Sequence, residues 1–302
     1  MAGNTHKFNQ VDVFTDTPYY GNPVAVVTVN GSLSDSQMQR FANWTNLSET
    51  TFITPSDKAD YYLKIFTPAS ELPFAGHPTL GSAYVYLNSL KEEERQDLKN
   101  KGGTITQECG IGIVHLKWDY RTNLLSFQAP PLLRSDDVEQ GHVEKVCKCM
   151  GISRDDVIDA KWVENGPPWF GIQLKNAQKV LDAAITDKEI VSGLYFGLFG
   201  EYEKEKSDVK FEVRAFAPLA DGVGEDPVTG SFKWVYCYHI CHFNINCSAG
   251  IAKWLQNQTP KHYFNSQGTK LGRRGRVSVT EEGGEIYIGG NVSECIAGNV
   301  II

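Results

Sequence analysis

The chain has 302 residues, a net charge of −7 and a hydrophobic share of 41%. This length allows two domains, the apolar share is that of a globular protein, and the negative charge argues against nucleic acid as a partner. The first residues form no apolar leader, and no run approaches the roughly 20 apolar residues of a membrane helix. We therefore expect a cytoplasmic protein that binds neither nucleic acid nor membrane.

The seven cysteines follow no regular framework, so we expect free thiols of an intracellular protein. Three of them lie with two histidines in the segment 237–247. The spacings fit none of the usual zinc patterns, and the stretch has the apolar character of a buried helix. We therefore expect no metal site there.

In the first half, alternation and β-branched content predict strands, and a capping serine with spaced apolar residues predicts a helix at 34–44. The predicted strands are 7–14, 24–29, 47–53, 61–66 and 124–127, with a hairpin over 102–118. Glu49 lies in the strand-like segment 47–53, among residues expected to face inward. An acid in such a place is either paired or functional.

The second half repeats this mixture after Pro130 and Pro131, where we place a domain boundary. Short helical pieces are predicted at 143–150, 153–158, 180–185, 188–194 and 249–256. Strands are predicted within 162–174, 195–202 and 209–216, and from residue 267 onward.

Two glycine- and proline-rich segments, 71–82 and 221–231, look like copies of one another. Each follows a strand-like run with a spaced Phe and Pro, and each contains an acid, Pro, Gly and Ser in the same order. Chance resemblance between such loops is the alternative. Pro78 and Pro227 suit the first position of a helix, which places His77 and Asp226 at the N-caps.

The helices that follow, 82–87 and 231–238, are apolar on nearly every face and are therefore expected to be buried. Their free N–H groups and positive dipole ends favour an anion. Gly76 and Gly230 permit close approach of the backbone to a ligand, and Ser231 offers a hydroxyl or simply allows close packing. Two such helix starts predict a site for a small acidic molecule.

The predicted fold class is α+β with two similar lobes, each a curved, mostly antiparallel sheet around a central buried helix. The first lobe spans 1–130 and carries Glu49 and His77. The second spans 131–302 and carries Asp226 and Ser231. A cleft between such lobes is a preferred place for a ligand.

The segments 11–14 (VDVF), 21–26 (GNPVAV), 48–52 (SETTF), 66–68 (FTP), 72–78 (LPFAGHP) and 225–231 (EDPVTGS) resemble the signature blocks of the PhzF-like, or phenazine biosynthesis-like, proteins. These belong to the diaminopimelate-epimerase-like superfamily. The resemblance covers essentially the whole chain. It implies the two-lobed fold, isomerase chemistry without a cofactor and, usually, a homodimer. It also matches Glu49 to the family's proton-shuttling glutamate, and His77, Asp226 and Ser231 to its histidine, aspartate and serine.

The predicted chemistry is proton transfer on a small carboxylate-bearing substrate, with Glu49 as the acid and base. His77 and Asp226 are the other expected catalytic residues, and Gly76, Gly230 and Ser231 are expected to bind the substrate. Glu49 paired with an arginine, Asp226 as a simple helix cap and His77 as an interior histidine are the structural alternatives. A non-catalytic binding protein and an epimerase of amino or hydroxy acids are the functional ones. The epimerase branch of the superfamily uses one cysteine at each helix start, and neither 71–82 nor 221–231 contains a cysteine. A racemase with two thiols is therefore disfavoured.

Overall fold

The computed structural model describes residues 4–165, 167–203, 207–219, 222–226 and 247–302. The described helices are α1 (Asp35–Thr45), α2 (Gly76–Ser89), α3 (Glu92–Asn100), α4 (Gln140–Met150), α5 (Ala177–Asp182) and α6 (Cys247–Trp254). The described strands are β1 (Thr5–Val13), β2 (Asn22–Thr28), β3 (Thr50–Thr54), β4 (Tyr61–Phe66), β5 (Glu71–Leu72), β6 (Thr104–Cys109), β7 (Gly112–Asp119), β8 (Leu124–Gln128), β9 (Val157–Trp162), β10 (Trp169–Leu174), β11 (Tyr195–Glu201), β12 (Phe211–Leu219), β13 (Gly222–Asp226), β14 (His262–Gln267), β15 (Gly275–Glu282), β16 (Glu285–Gly290) and β17 (Val292–Ile301). Single 3₁₀ turns occur at Arg154–Asp156, Lys188–Val191 and Thr269–Leu271.

The chain divides into two compact units. Among the described residues, unit 1 holds 4–128 and 289–302, and unit 2 holds the remainder, from 129 to 288. The predicted α+β class is confirmed. The last strand differs from the prediction, which assigned it to the second lobe. It belongs to unit 1 because β17 pairs antiparallel with β1 along its length.

Unit 1 is a sheet with a helix on each face. α1 covers one face, where Met38 and Ala42 pack with buried side chains of β2 and β3. The predicted cap of this helix is present, since Ser34 accepts a hydrogen bond from the N–H of Gln37. The other face holds α2, which contacts β1, β2, β3, β4, β8 and β17.

Burial of α2 on nearly all sides confirms the central helix predicted for the first lobe. Ten of its residues, including Leu80, Ala83 and Leu87, are buried. Gly81 makes this packing possible, because a Cβ there would lie 2.5 Å from Val24 Cγ1 and 3.1 Å from Val11 Cγ2. A methyl group has no room at that separation, so α2 approaches the sheet through a glycine.

Unit 2 repeats the strand pairing of unit 1 in the same order along the chain. β1–β2 and β9–β10 are antiparallel, β2–β3 and β10–β11 are parallel, and β3–β4 and β11–β12 are antiparallel. The hairpins β4–β5 and β12–β13, the parallel pairs β4–β6 and β12–β14, and the antiparallel pairs β6–β7 and β14–β15 complete the repeat. The two units are therefore copies of one topology, as the two similar segments indicate.

The strand register corrects the alignment of those segments. Phe66 pairs with Glu71 in unit 1, and Phe216 pairs with Glu225 in unit 2. Counting onward from these pairs aligns ELPFAGH at 71–77 with EDPVTGS at 225–231. His77 thus corresponds in sequence to Ser231, and Asp226 corresponds to Leu72 rather than to His77.

Most of the predicted elements occur within a few residues of their expected bounds, and three differ. The segment 153–158 is a 3₁₀ turn followed by β9, residues 222–226 form a strand, and β14 begins ahead of the predicted C-terminal strands. In the described part of the chain, no helix combines the length and the apolar character that crossing a bilayer requires.

Candidate functional site

Glu49 and His77 meet inside unit 1. The Oε2 atom of Glu49 lies 3.5 Å from Nδ1 of His77, and neither side chain is exposed to solvent. Glu49 directly precedes β3, and His77 lies in the first turn of α2. The two residues are 28 positions apart in sequence, so the packing of α2 on the sheet brings them together.

His77 is not the N-cap that the sequence predicts. α2 begins at Gly76, its N-cap is Ala75, and no side chain caps it. His77 is therefore already helical, and its ring can point away from the helix towards Glu49. No side chain caps the first turn of α2, and N–H groups at the start of a helix favour an acceptor.

The ring of His77 is neutral at physiological pH. Burial lowers its pKa from 6.5 to about 3, and the nearby Pro23 backbone acts in the opposite direction. Among the described residues, none forms a hydrogen bond of ordinary geometry with either ring nitrogen. The contact with Glu49 is therefore not an ion pair, although it joins an acidic and a basic side chain.

Gly76 is held close to an aromatic ring. A Cβ on this residue would lie 2.7 Å from Cζ of Phe127, a fully buried residue of β8. The glycine is thus explained by the approach of α2 to Phe127. Its backbone N–H still belongs to the uncapped start of the helix.

Asp226 ends β13 in unit 2, where it pairs with Ala215, and its side chain is buried. Gln267 donates a hydrogen bond to the Asp226 carbonyl at 3.4 Å, and Ser248 donates one to Gln267 Oε1 at 3.4 Å. The helix that Asp226 is predicted to cap lies outside the described residues, as do Gly230 and Ser231.

A cysteine that the sequence did not single out for this site lies near Asp226. Cys247 is fully buried, and burial, with a smaller contribution from the Asp226 charge, raises the pKa of its thiol. Burial thus favours the protonated form of this thiol over the thiolate. The rest of the cluster 237–247 lies outside the described residues, and among the described ones no group of acidic, histidine and cysteine side chains is placed to hold a metal ion.

The sequence did not single out a second buried contact, formed by Thr51 and Ser82, beside the pair of Glu49 and His77. Ser82 Oγ donates to Thr51 Oγ1 at 2.9 Å. Thr51 follows Glu49 by two positions, and strand alternation places such residues on one face. This alternation is the feature of the sequence from which Thr51 could have been predicted to share a face with Glu49.

The phenazine biosynthesis-like protein family matches residues 11–293. The chain belongs to this family. It is 35% identical over 317 residues to antisense-enhancing sequence 1 of Schizosaccharomyces pombe, with 98% of this chain and 99% of the relative covered. It is 31% identical over 236 residues to trans-2,3-dihydro-3-hydroxyanthranilate isomerase of Pseudomonas fluorescens, with 78% and 80% covered.

The fold agrees with the same family. The crystal structure of the Bacillus anthracis phenazine biosynthesis protein of the PhzF family superposes with a TM-score of 0.74 at 20% identity, covering 99% of this chain and all of that one. The resemblance found in the sequence is thereby confirmed. The expectation of an isomerase is confirmed as well, by the family and by relatives that are named isomerases.

Proposed function

We propose that this chain is a cofactor-independent isomerase that moves a proton on a small, carboxylate-bearing molecule, with Glu49 carrying the proton. The contact between Glu49 Oε2 and His77 Nδ1, at 3.5 Å and shielded from solvent, supports this proposal most directly. A carboxylate beside an imidazole can perform general acid–base catalysis by proton transfers alone.

The proposed step begins with Glu49 as a carboxylate. It removes a proton from a carbon next to an unsaturated or carboxyl-bearing group, and the bonding electrons move into the unsaturated system. Glu49 then returns the proton to another carbon, so the enzyme is regenerated and no atom is gained or lost.

The neutral state of His77 suits this step. With a pKa of about 3, the ring carries one N–H and no positive charge near pH 7. It can donate a hydrogen bond to the reacting molecule without adding a cation that would hold Glu49 ionised.

The other candidate residues assist the proton transfer or bind the substrate. The N-terminal end of α2 at Gly76 favours a negatively charged group such as a carboxylate. We propose Asp226 as a further catalytic side chain, and Gly230 and Ser231 as substrate contacts. The compound that names the Pseudomonas relative, trans-2,3-dihydro-3-hydroxyanthranilate, is the first substrate to test, together with other unsaturated hydroxy and amino acids.

Exchange of hydrogen between solvent and carbon tests the proposal. The wild type is incubated with each acid in deuterated water, and mass spectrometry follows label entering the carbon skeleton. Glu49→Gln is expected to abolish this exchange while leaving the fold and the binding of the acid intact. Glu212→Gln is the matched control, because Glu212 is also a fully buried glutamate but takes no part in the proposed step.

Full exchange by Glu49→Gln would refute Glu49 as the proton carrier. A labelled stereoisomer in place of a positional isomer would identify an epimerase. Acids that bind to the wild type and yield neither label nor an isomer would favour a non-catalytic binding protein. The expected homodimer is tested separately, by the mass of the protein in solution from light scattering.

A further inference from the structure

We propose that Thr51 and Ser82 are positioning residues, and that the hydrogen bond between their hydroxyls sets the separation of Glu49 and His77. This inference rests on the proposed function, since it concerns the same pair. It adds two residues that act through the placement of α2 on β3.

The geometry of the two hydroxyls fixes which atom donates. Thr51 Oγ1 lies 3.3 Å from the carbonyl oxygen of Ala25 on β2, which can only accept. Thr51 therefore donates to Ala25 and accepts from Ser82 Oγ at 2.9 Å. Both hydroxyl residues are fully buried, so water cannot replace either bond. A lost partner here leaves a buried polar group unsatisfied.

The bond connects the two elements that carry the pair. Glu49 directly precedes β3, Thr51 is the second residue of that strand, and both side chains reach α2. His77 and Ser82 are five positions apart on α2. Because helix and strand are each locally rigid, a single bond between them restrains how far the His77 ring lies from Glu49.

The internal repeat shows that the fold itself does not require this bond. Thr51 pairs with Ile65 in unit 1, and the corresponding pair in unit 2 is Gly197 with Ala215. Gly197 has no side chain, and a Cβ there would overlap the Cys247 sulfur. The same topology thus forms without a hydroxyl at this position, in the unit where Tyr195 and Ser231 correspond in sequence to Glu49 and His77.

The neighbouring threonine offers a matched control. Thr50 is also fully buried, but its Oγ1 contacts Thr45 Oγ1 at 2.8 Å on the α1 side of the sheet. Thr51→Val and Thr50→Val are therefore the same substitution, one position apart, on opposite faces. Ser82→Ala removes the bond from the helix side, and Thr51→Ser keeps the hydroxyl as the conservative rescue.

Two measurements that need no substrate decide the question. Crystal structures give the separation of Glu49 Oε2 and His77 Nδ1, which is expected to grow by about 0.5 Å or more in Thr51→Val and Ser82→Ala. The ring signals of His77 in protein labelled with ¹⁵N-histidine are expected to move in the same two variants. Thr50→Val and Thr51→Ser are expected to keep the wild-type separation and signals.

The exchange reaction supplies the functional readout, on the acid that the wild type labels. Thr51→Val is expected to lower kcat by about ten- to a hundredfold with little change in KM, because a small displacement of reacting groups is costly. Thr50→Val is expected to keep the wild-type kcat even where it lowers thermal stability equally.

Unchanged separation and ring signals in both Thr51→Val and Ser82→Ala would overturn the inference. Equal losses of kcat in Thr51→Val and Thr50→Val would do so too, because they would show a general loss of stability. An inactive Glu49→Gln alongside such results leaves the proposed function standing and removes only this inference. A fully active Glu49→Gln refutes the proposed function instead, and the separation still reports whether the hydroxyl bond sets the pair.

Discussion

Glu49 and His77 are two ionisable side chains in a place where a charge is costly. Burial favours the uncharged form of an imidazole, and here it lowers the pKa of His77 to about 3. A buried ion pair would need further hydrogen bonds to offset the loss of hydration. A neutral ring avoids that cost, which explains how the contact persists at 3.5 Å without the geometry of a strong salt bridge.

The neutral burial of His77 has a consequence for stability against acid. The unfolded chain protonates this histidine near pH 6.5, whereas the folded chain resists protonation down to about pH 3. The contribution of neutral His77 to the free energy of unfolding is therefore complete above pH 6.5. It is lost as the pH falls from 6.5 towards 3. Between these values we expect His77 to lower the free energy of unfolding by about 1 kcal/mol per pH unit.

Urea unfolding of the wild type and His77→Gln between pH 7 and pH 4 measures this effect. The variant is expected to show a shallower decline, and the difference between the two curves isolates His77 from His6, whose pKa is also lowered by burial. Parallel curves would contradict a neutral, buried His77.

At the scale of single elements, α2 depends on a glycine for its contact with the sheet. Gly81→Ala is expected to destabilise the fold by about 1–3 kcal/mol, because the added Cβ would lie 2.5 Å from Val24 Cγ1. Gly141→Ala in α4 is the control, since no atom lies within 4 Å of its Cβ position.

The control substitution is expected to stabilise the protein by about 0.4–1 kcal/mol, because alanine loses less conformational entropy than glycine on folding. Urea denaturation of both variants gives the comparison. A stabilising Gly81→Ala would mean that α2 does not approach β2 as closely as the structure has it.

A buried ion pair joins β12 to β13 next to Asp226. Arg214 and Glu225 form two parallel hydrogen bonds of 2.9 and 2.7 Å, and both side chains are nearly inaccessible to solvent. Arg214→Met is expected to lower the free energy of unfolding by about 3–5 kcal/mol, because the Glu225 charge stays buried without its partner.

The matched comparison is Lys161→Met, which removes an ion pair with the exposed Asp137. Its cost is expected to stay below about 1 kcal/mol, because solvent screens such pairs. The unfolding midpoints of the two variants in urea measure the difference. Equal effects would show that the Arg214 pair is solvated in solution.

At the scale of the molecule, the last strand completes the unit that the first strand begins. β1 pairs with β17 on one side and β2 on the other, so its amide groups are bonded within the sheet. α3 has no buried residue, so few apolar contacts oppose local unfolding of this helix. Hydrogen exchange followed by mass spectrometry is expected to show peptides of β1 exchanging much more slowly than those of α3. Equal rates would contradict the closure of unit 1 by β17.

The sequence by itself determined the local elements, the repeat and the family. Alternation, the Ser34 cap and the Phe-x-Pro runs predicted strands and helices because these signals act between residues close in sequence. The all-round apolar character of α2 predicted its central place, and the polar residues singled out included both members of the pair that meets in unit 1.

Only the tertiary structure decided the alignment and the partners. The pairing of Phe216 with Glu225 moved the counterpart of His77 from Asp226 to Ser231, because hairpin register depends on hydrogen bonds that a loop sequence does not specify. The joining of β17 to β1 and the bond between Thr51 and Ser82 likewise depend on contacts between distant segments. Such contacts have no local signature, because they arise from the packing of helix on sheet.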